Sequence, residues 1–286
     1  MRTVRWFTVL ALALGCTGAP AVVPMPRLPF AVDSVQTVAI APGTWHRSIV
    51  SPTGPWSIDL LEIRLDHCTT LRAVKGVADS VGRRRTSALL SALADTIAVL
   101  GGANADFFRF DPPGVPTGLL VARGIMLTPP SARPVFAVDS MGTPQIAVFR
   151  IDPTGRLAPF HPLEAVGGHP VLVREGELSA EARDSNAFAV TRHPRTAVGL
   201  TADGRVLLVV VDGRQPGRSV GMSLRELGGL MLALGARDAL NLDGGGSTTL
   251  VVRGAGRAGG LQVANSPSDS AGERPVGDAL AVVRGC

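Results

Sequence analysis

Tyrosine is absent from the 286 residues, cysteine occurs three times, and aromatic residues make up only 4% of the chain. Three cysteines are too few for a disulfide-built scaffold, and no CxxC pair is present to form a zinc ribbon. Lysine occurs once, at Lys75, so the formal charge of +5 rests on scattered arginines. A pI near 10.3 invites a nucleic-acid reading. The one tight basic run, Arg83-Arg84-Arg85, has no RNA-binding signature or helix-turn-helix spacing around it. It reads as a solvated turn or helix start, so no nucleic-acid partner is expected. Apolar stretches of the ~20 residues needed to span a bilayer are also missing. What is abundant is core material and punctuation: 45% hydrophobic residues, 34 Gly and 22 Pro. That content argues against disorder and for one globular domain, at most two.

The first residues read as an address. Arg2 and Arg5 precede the apolar stretch Trp6 to Leu14, which ends in Gly15-Cys16. A charged start, a short apolar run and small residues at a cut site form an export signal, here residues 1–15. Leu12-Ala13-Leu14-Gly15-Cys16 resembles a bacterial lipobox, which would make Cys16 the lipidated first residue and anchor the protein to a membrane. Ordinary secretory cleavage near Ala19 is the alternative. Loss of Arg2 and Arg5 with the signal lowers the formal charge to +3. With Cys16 lipidated, Cys68 and Cys286 remain, and an oxidising compartment favours a disulfide between them.

Residues 16–36, rich in Pro and Ala, read as a tether, and 37–286 as the domain. Short β-type runs bounded by turn residues follow at Thr37–Ile40, Trp56–Leu65, Thr96–Leu100, Val135–Val138, Gln145–Ile151, Ala197–Leu200 and Val206–Val211. Two helices are predicted. One covers Thr86–Ala94. The other opens with Ser223-Leu-Arg-Glu226, a capping box, carries Leu224, Leu227, Leu230, Met231 and Leu234 on one face, and stops at Gly235. Residues Pro112–Ser140 look like an insertion or extended hairpin. Many strands and two helices give an α+β class: a β-rich mixed sheet core in a single domain.

The chemistry concentrates in Asn241-Leu-Asp243-Gly244-Gly245-Gly246-Ser247-Thr248-Thr249. Asn241 and Asp243, two apart on a strand, share a face. The glycines allow close backbone approach, and such a loop can cradle an anion with its N–H groups. It is no Walker loop, because the lysine and the spacing are missing. His193-Pro-Arg195-Thr196 and Asp212-Gly-Arg214 flank strands, and Asn265, Glu273 and Arg274 come later. Arginine suits phosphate through its planar fork of donors. A Ser247–His193–Asp212 relay is conceivable, but there is no GxSxG elbow. The remaining histidines show no zinc-binding spacing. Oxygen ligands from Asp243, Asp212 or Asn104 would suit Ca²⁺ or Mg²⁺.

The stretch VVDGRQPGRSVGMSLRELGGLMLALGARDALNLDGGGSTTLVV resembles the core of the phosphodiester glycosidase family. The resemblance extends to HPRTAVG, to NADFF and to ERPVGDAL, covering roughly Ala41 to Val283. It departs at NADFF, where the family more often reads Asn-Gly-Gly-Phe-Phe, and at Asp278, where Asn is common. The resemblance implies hydrolysis of a sugar 1-phosphodiester between the anomeric carbon and the phosphate oxygen. It suggests Asp243 as the principal catalytic carboxylate, with Glu273 or Asp212 second. Arg195, Arg214, Arg274, Thr196, Ser247, Thr248 and the glycines would hold phosphate. Asn104, Asp106, Asn241 and Asn265 would contact the rest of the substrate. No cofactor is expected with certainty. The partner implied is a phosphorylated glycan of the envelope or outside the cell. The competing reading is a non-catalytic envelope protein that binds anionic glycan through the same loop.

Overall fold

A computed structural model describes residues 24–76, 82–254 and 259–286. The export segment 1–15, Cys16 and the start of the tether lie outside the described residues.

Three sheets make up the core. The largest has eight strands in the spatial order Ser34–Ala41, Thr44–Ser51, Trp56–Arg64, Arg205–Val211, Arg195–Thr201, Ala236–Asn241, Val171–Arg174 and Glu177–Leu178. The second runs Leu261–Val263, Leu250–Arg253, Ala98–Asn104, Asp278–Arg284, Thr69–Lys75. The third runs Ile125–Thr128, Leu120–Ala122, Glu164–Gly167, Pro134–Val138, Pro144–Val148. Among the described residues every strand ladder is antiparallel, so the sheets are not mixed as the sequence suggested. The helices that follow strands here cover a sheet face without returning the chain as a parallel neighbour.

The run Val206–Val211 is apolar throughout because both faces of its strand are covered. Val206, Leu208 and Val210 join the core between the sheets, while Leu207, Val209 and Val211 pack with the helix side of the sheet. Side chains two apart share a face, so a continuous run is what a strand buried on both sides requires. Helix α1 (Thr86–Ala94) lays Leu89 and Leu90 on the second sheet, against Val99, Val251 and Val283. Helix α2 is a single turn, Ala187–Val190, capped by the Asn186 side chain on Ala189 N–H. Helix α3 (Leu224–Ala233) begins with the expected capping box, Ser223 and Glu226 each accepting from the other's N–H. Leu224, Leu227, Leu230 and Met231 bury against the eight-stranded sheet, and Gly235, at φ +90°, follows its C-terminal end.

The Pro/Ala-rich segment packs on the domain: Leu28 is buried, Phe30 meets Trp56 edge-on at 5.0 Å, and Ser34–Gln36 already belong to the first strand. The stretch read as an insertion builds most of the third sheet and has its own core of Leu119, Val121, Val135, Ala137, Phe149 and Ala165. Cys68 and Cys286 form the disulfide, tying the last residue to the start of the strand Thr69–Lys75. No helix among the described residues is long and apolar enough to cross a membrane.

Candidate active site

The strand Ala236–Asn241 leads through Leu242 to Asp243 at the head of the glycine loop. Main-chain bonds fix Asp243 on both sides. Its N–H donates to the Ala105 carbonyl at 2.8 Å, and its own carbonyl accepts from Asn104 Nδ2 at 2.7 Å. The backbone that carries the carboxyl is thereby held in place, and the residue is half-buried. Burial is the main influence on it and pushes its pKa up to about 6. Ser247, the Gly244 N–H and Arg274 pull downward, and Asp106 adds to the rise. The Ser247 hydroxyl is buried beside this carboxylate yet meets no partner at bonding geometry among the described residues.

The loop needs its glycines. A Cβ on Gly244 would lie 2.6 Å from the Pro194 carbonyl oxygen, and one on Gly245, at φ +63°, would lie 3.1 Å from Arg214 Nη2. One on Gly246 would collide with Asp269 and Arg274. Arg214 and Arg274 therefore lie directly on the loop. Asp269 holds Arg274 with two bonds, Nε to Oδ2 at 2.9 Å and Nη2 to Oδ1 at 3.0 Å. Arg214 is exposed, has no carboxylate partner among the described residues, and brings Nη2 to 3.4 Å from His193 Nδ1. Burial, then Arg195 and Arg214, lower the His193 pKa, which favours the neutral ring.

Two more carboxyls back Asp243. Asp106 is buried, accepting from the Gly118 N–H at 2.6 Å and from the Thr117 hydroxyl at 3.3 Å. Burial raises its pKa to about 6, against the Gly118 N–H and the charge of Arg133. Asp278 is fully buried. Its Oδ1 accepts from the Asp106 N–H at 2.8 Å, and its Oδ2 has no partner among the described residues. Burial and the neighbouring Asp106 push its pKa well above the ordinary carboxylate range. Asp106 and Asp278 both fall where the sequence departs from the family pattern, and the fold puts them in contact. Gly118 and Gly167 make the room, since a Cβ on Gly167 would lie 2.6 Å from Asp106 Oδ2.

Several residues read as ligand contacts hold the scaffold instead. Arg195 is buried, with Nε on the Met222 carbonyl and Nη2 on those of Phe188 and Thr191, all at 2.9 Å. It clamps loops rather than presenting donors to phosphate. Asn104 Oδ1 accepts from the Thr196 hydroxyl and the Thr249 N–H, so Asn104 and Thr196 secure the loop from beneath. Thr248 Oγ1 lies 3.5 Å from Thr196 Oγ1. Asn265 bonds Asp212, the Thr248 carbonyl and the Leu250 N–H, leaving nothing for a sugar. Asp212, pushed to about 6 by burial, accepts from Asn265 and the Ser266 N–H and pairs with Arg218 at 3.5 Å. Glu273 caps α1 through the Ser87 N–H and hydroxyl. Asn241 donates to the His169 carbonyl at 2.6 Å. His193 faces Arg214, and Asp212 faces Asn265, so Ser247, His193 and Asp212 make no relay.

Of the residues suited by type to a divalent cation, Asp212 is held by Asn265 and Ser266, and Asn104 by Thr196, Thr249 and the Asp243 carbonyl. Among the described residues, the one set of three His, Cys, Asp or Glu side chains converging within 4.8 Å is His67, Cys68 and Cys286, two of them the disulfide. The sequence reading missed Arg133, which donates to the Thr117 hydroxyl at 3.1 Å beside Asp106. It also missed the rings of Phe107, Phe188 and His169 around it. No local motif marks Arg133; it sits in the stretch read as an insertion.

Fold and site together define an antiparallel, β-rich domain carrying a carboxylate–arginine site on a glycine loop. The chain belongs to the phosphodiester glycosidase family, whose model matches residues 97–283. An uncharacterized SPbeta prophage-derived protein of Bacillus subtilis is 37% identical over 111 residues, 39% of this chain and 16% of that protein. N-acetylglucosamine-1-phosphodiester alpha-N-acetylglucosaminidase of Bos taurus is 37% identical over 95 residues, 33% of this chain and 16% of the enzyme. The matched segments thus span about a sixth of these relatives. The fold is shared with the catalytic domain of the zebrafish N-acetylglucosamine-1-phosphodiester alpha-N-acetylglucosaminidase, solved in a form auto-inhibited by its pro-peptide. That comparison has a TM-score of 0.65 and 20% identity, covering 88% of each chain. A Synechocystis protein has a TM-score of 0.67 and 18% identity, covering 88% of this chain and 64% of that one. A Burkholderia pseudomallei protein described as exported has a TM-score of 0.61 and 18% identity, covering 91% and 99%.

Proposed function

We propose that this protein is an exported hydrolase that cleaves a sugar 1-phosphodiester between the anomeric carbon and the phosphate oxygen. The observation that carries the reading is Asp243. Main-chain bonds fix its backbone, the residue is half-buried, and Arg214 and Arg274 lie on the adjoining loop. Asp243, ionised, faces the anomeric carbon and stabilises or attacks the developing oxocarbenium ion. The C1–O bond breaks with its electron pair on the phosphate, which leaves as a monoester. Water supplies hydroxyl to C1 and releases a proton. Phosphate is already a good leaving group, so the arginines and loop N–H groups matter more than an acid. Asp106 is the second carboxyl of the site, in place of Glu273 and Asp212, because its charge acts on Asp243 while Glu273 caps α1 and Asp212 holds Asn265 and Ser266.

An N-acetylglucosaminyl group is the first substrate to try, by analogy with the bovine and zebrafish enzymes. Export through residues 1–15, with lipidation at Cys16, fits an envelope or extracellular glycan. Purified protein incubated with a panel of sugar 1-phosphodiesters, with and without chelator, should release reducing sugar and phosphate monoester. Binding without release across the panel refutes catalysis and favours glycan binding through the same loop.

A further inference from the structure

Phe188 is 39% exposed although it sits on a capped turn, α2, that the domain holds tightly. Arg195 donates to the Phe188 carbonyl and places its guanidinium 5.0 Å from the ring centre. The exposed His169 ring lies nearly parallel to Phe188, at 15° and 6.4 Å between centroids. Phe107 meets Phe188 edge-on at 6.3 Å, and Arg133 lies 5.5 Å over Phe107. Rigid presentation lowers the entropy lost when a ligand covers the ring.

Three separate ties join this ledge to the chain around Asp243. Phe107 lies two residues beyond Ala105, whose carbonyl holds the Asp243 N–H. His169 is joined to Asn241 by its N–H on the Asn241 carbonyl at 2.8 Å, and by Asn241 Nδ2 on its own carbonyl. Phe188 is carried by Arg195, whose Cα lies 3.6 Å from where a Gly244 Cβ would be. Arg214 and Arg274 lie against Gly245 and Gly246 of the loop that follows Asp243.

We propose that Phe188, His169 and Phe107 form the subsite for the pyranose ring. The sugar's C–H face lies on Phe188 and its hydroxyl edge faces Arg133, Asp106 and Asn241. A pyranose offers one flat apolar face and a polar rim, which this mixture of rings and hydrogen-bonding groups complements. An acyl chain would need an apolar wall without the guanidinium and carboxyl. The assignment rests on Asp243 being the reacting group, and it orients the substrate: sugar on the ledge, phosphate on Arg214 and Arg274, scissile bond above Asp243.

The test needs no turnover. Saturation-transfer NMR on the full chain, irradiating aromatic protons, would use methyl α-glycosides of N-acetylglucosamine, glucose and mannose, and octyl glucoside. Inorganic phosphate binding would be titrated separately. Transfer to ring C–H protons on one face of a methyl glycoside is expected. Phe188→Ala should remove it, weakening sugar binding 10-fold or more, and leave phosphate binding within 2-fold. Phe188→Trp, which keeps a flat face, should retain it. If the phosphodiester is turned over, Phe188→Ala should raise KM far more than it lowers kcat. Unchanged transfer in Phe188→Ala, or transfer confined to the octyl chain, overturns the assignment. Sugar binding that survives without hydrolysis overturns the proposed reaction but leaves the ledge standing.

Discussion

Replacing Asp243 with Asn should remove activity and stabilise the fold at neutral pH. In the folded protein, burial above all holds the Asp243 pKa at about 6, against 3.8 for the unperturbed group. A rise of that size corresponds to about 3 kcal/mol, at ~1.4 kcal/mol for each tenfold change in proton affinity. Between the unfolded and folded pKa values, the folded state binds more protons at this site than the unfolded state does. Stability therefore falls as pH rises through that window and stays lowered above it. An Asn side chain has no charge to desolvate, but it faces the Gly244 N–H with a weaker acceptor. The net gain at pH 7.5 should be about 1–3 kcal/mol, against little or none below pH 4. Urea unfolding of the native and Asp243→Asn proteins at pH 4 and 7.5, beside reducing-sugar release from a sugar 1-phosphodiester, measures both effects. A variant no more stable at pH 7.5 than the native protein would show that burial imposes no cost on this carboxylate. Retained turnover would remove Asp243 from the mechanism.

The raised pKa also sets a kinetic expectation: if ionised Asp243 acts on the anomeric carbon, kcat/KM rises with pH through about 6, and a profile flat from pH 4.5 to 8 contradicts it. Arg214→Ala, which takes an exposed guanidinium from above Gly245, should raise KM for a phosphodiester by about 10- to 100-fold and leave thermal unfolding unchanged; equal losses with a substrate lacking phosphate would place Arg214 elsewhere in the reaction. Replacing Cys68 and Cys286 together by Ser should lower stability by about 2–4 kcal/mol, since the bridge spans 218 residues and restrains nearly the whole unfolded chain; an unfolding midpoint insensitive to the replacement would refute that.

Much of the fold was legible because its signals are local. The capping box Ser223–Glu226 and the apolar stripe behind it specify α3, and Val206–Val211 reads as a β run, which the structure covers on both sides. The Cys68–Cys286 pairing followed from counting once Cys16 was set aside. The third sheet was not legible, because its strands are short and come from residues 120–167 with turns and bridges between them. Nor was the antiparallel order, since a helix between strands permits either direction until the sheet edges are known.

The arginines and carboxylates show why a charge's type and chain position do not assign its role. Arg195, Arg214 and Arg274 looked equivalent in sequence. Arg195 has its Nε and Nη2 donors on main-chain carbonyls, Arg274 shares its fork with Asp269, and Arg214 alone stands exposed without an acid. In sequence Glu273 or Asp212 stood as the second carboxylate and Asp106 as a substrate contact, but Glu273 caps α1 and Asp212 organises Asn265 and Ser266. Asp106 was distinguished only by what lies opposite it. Two glycines distant in sequence, Gly118 and Gly167, make space for its carboxyl, and Asp278, 172 residues away, accepts its N–H. Burial and the charge of Asp106 push the Asp278 pKa well up, Asp106 and Asp243 are held at about 6, and of the three residues Asp243 alone is half-buried rather than buried. The glycine loop marks where the site is, and the placement of three carboxyls at graded depth selects which of them can react.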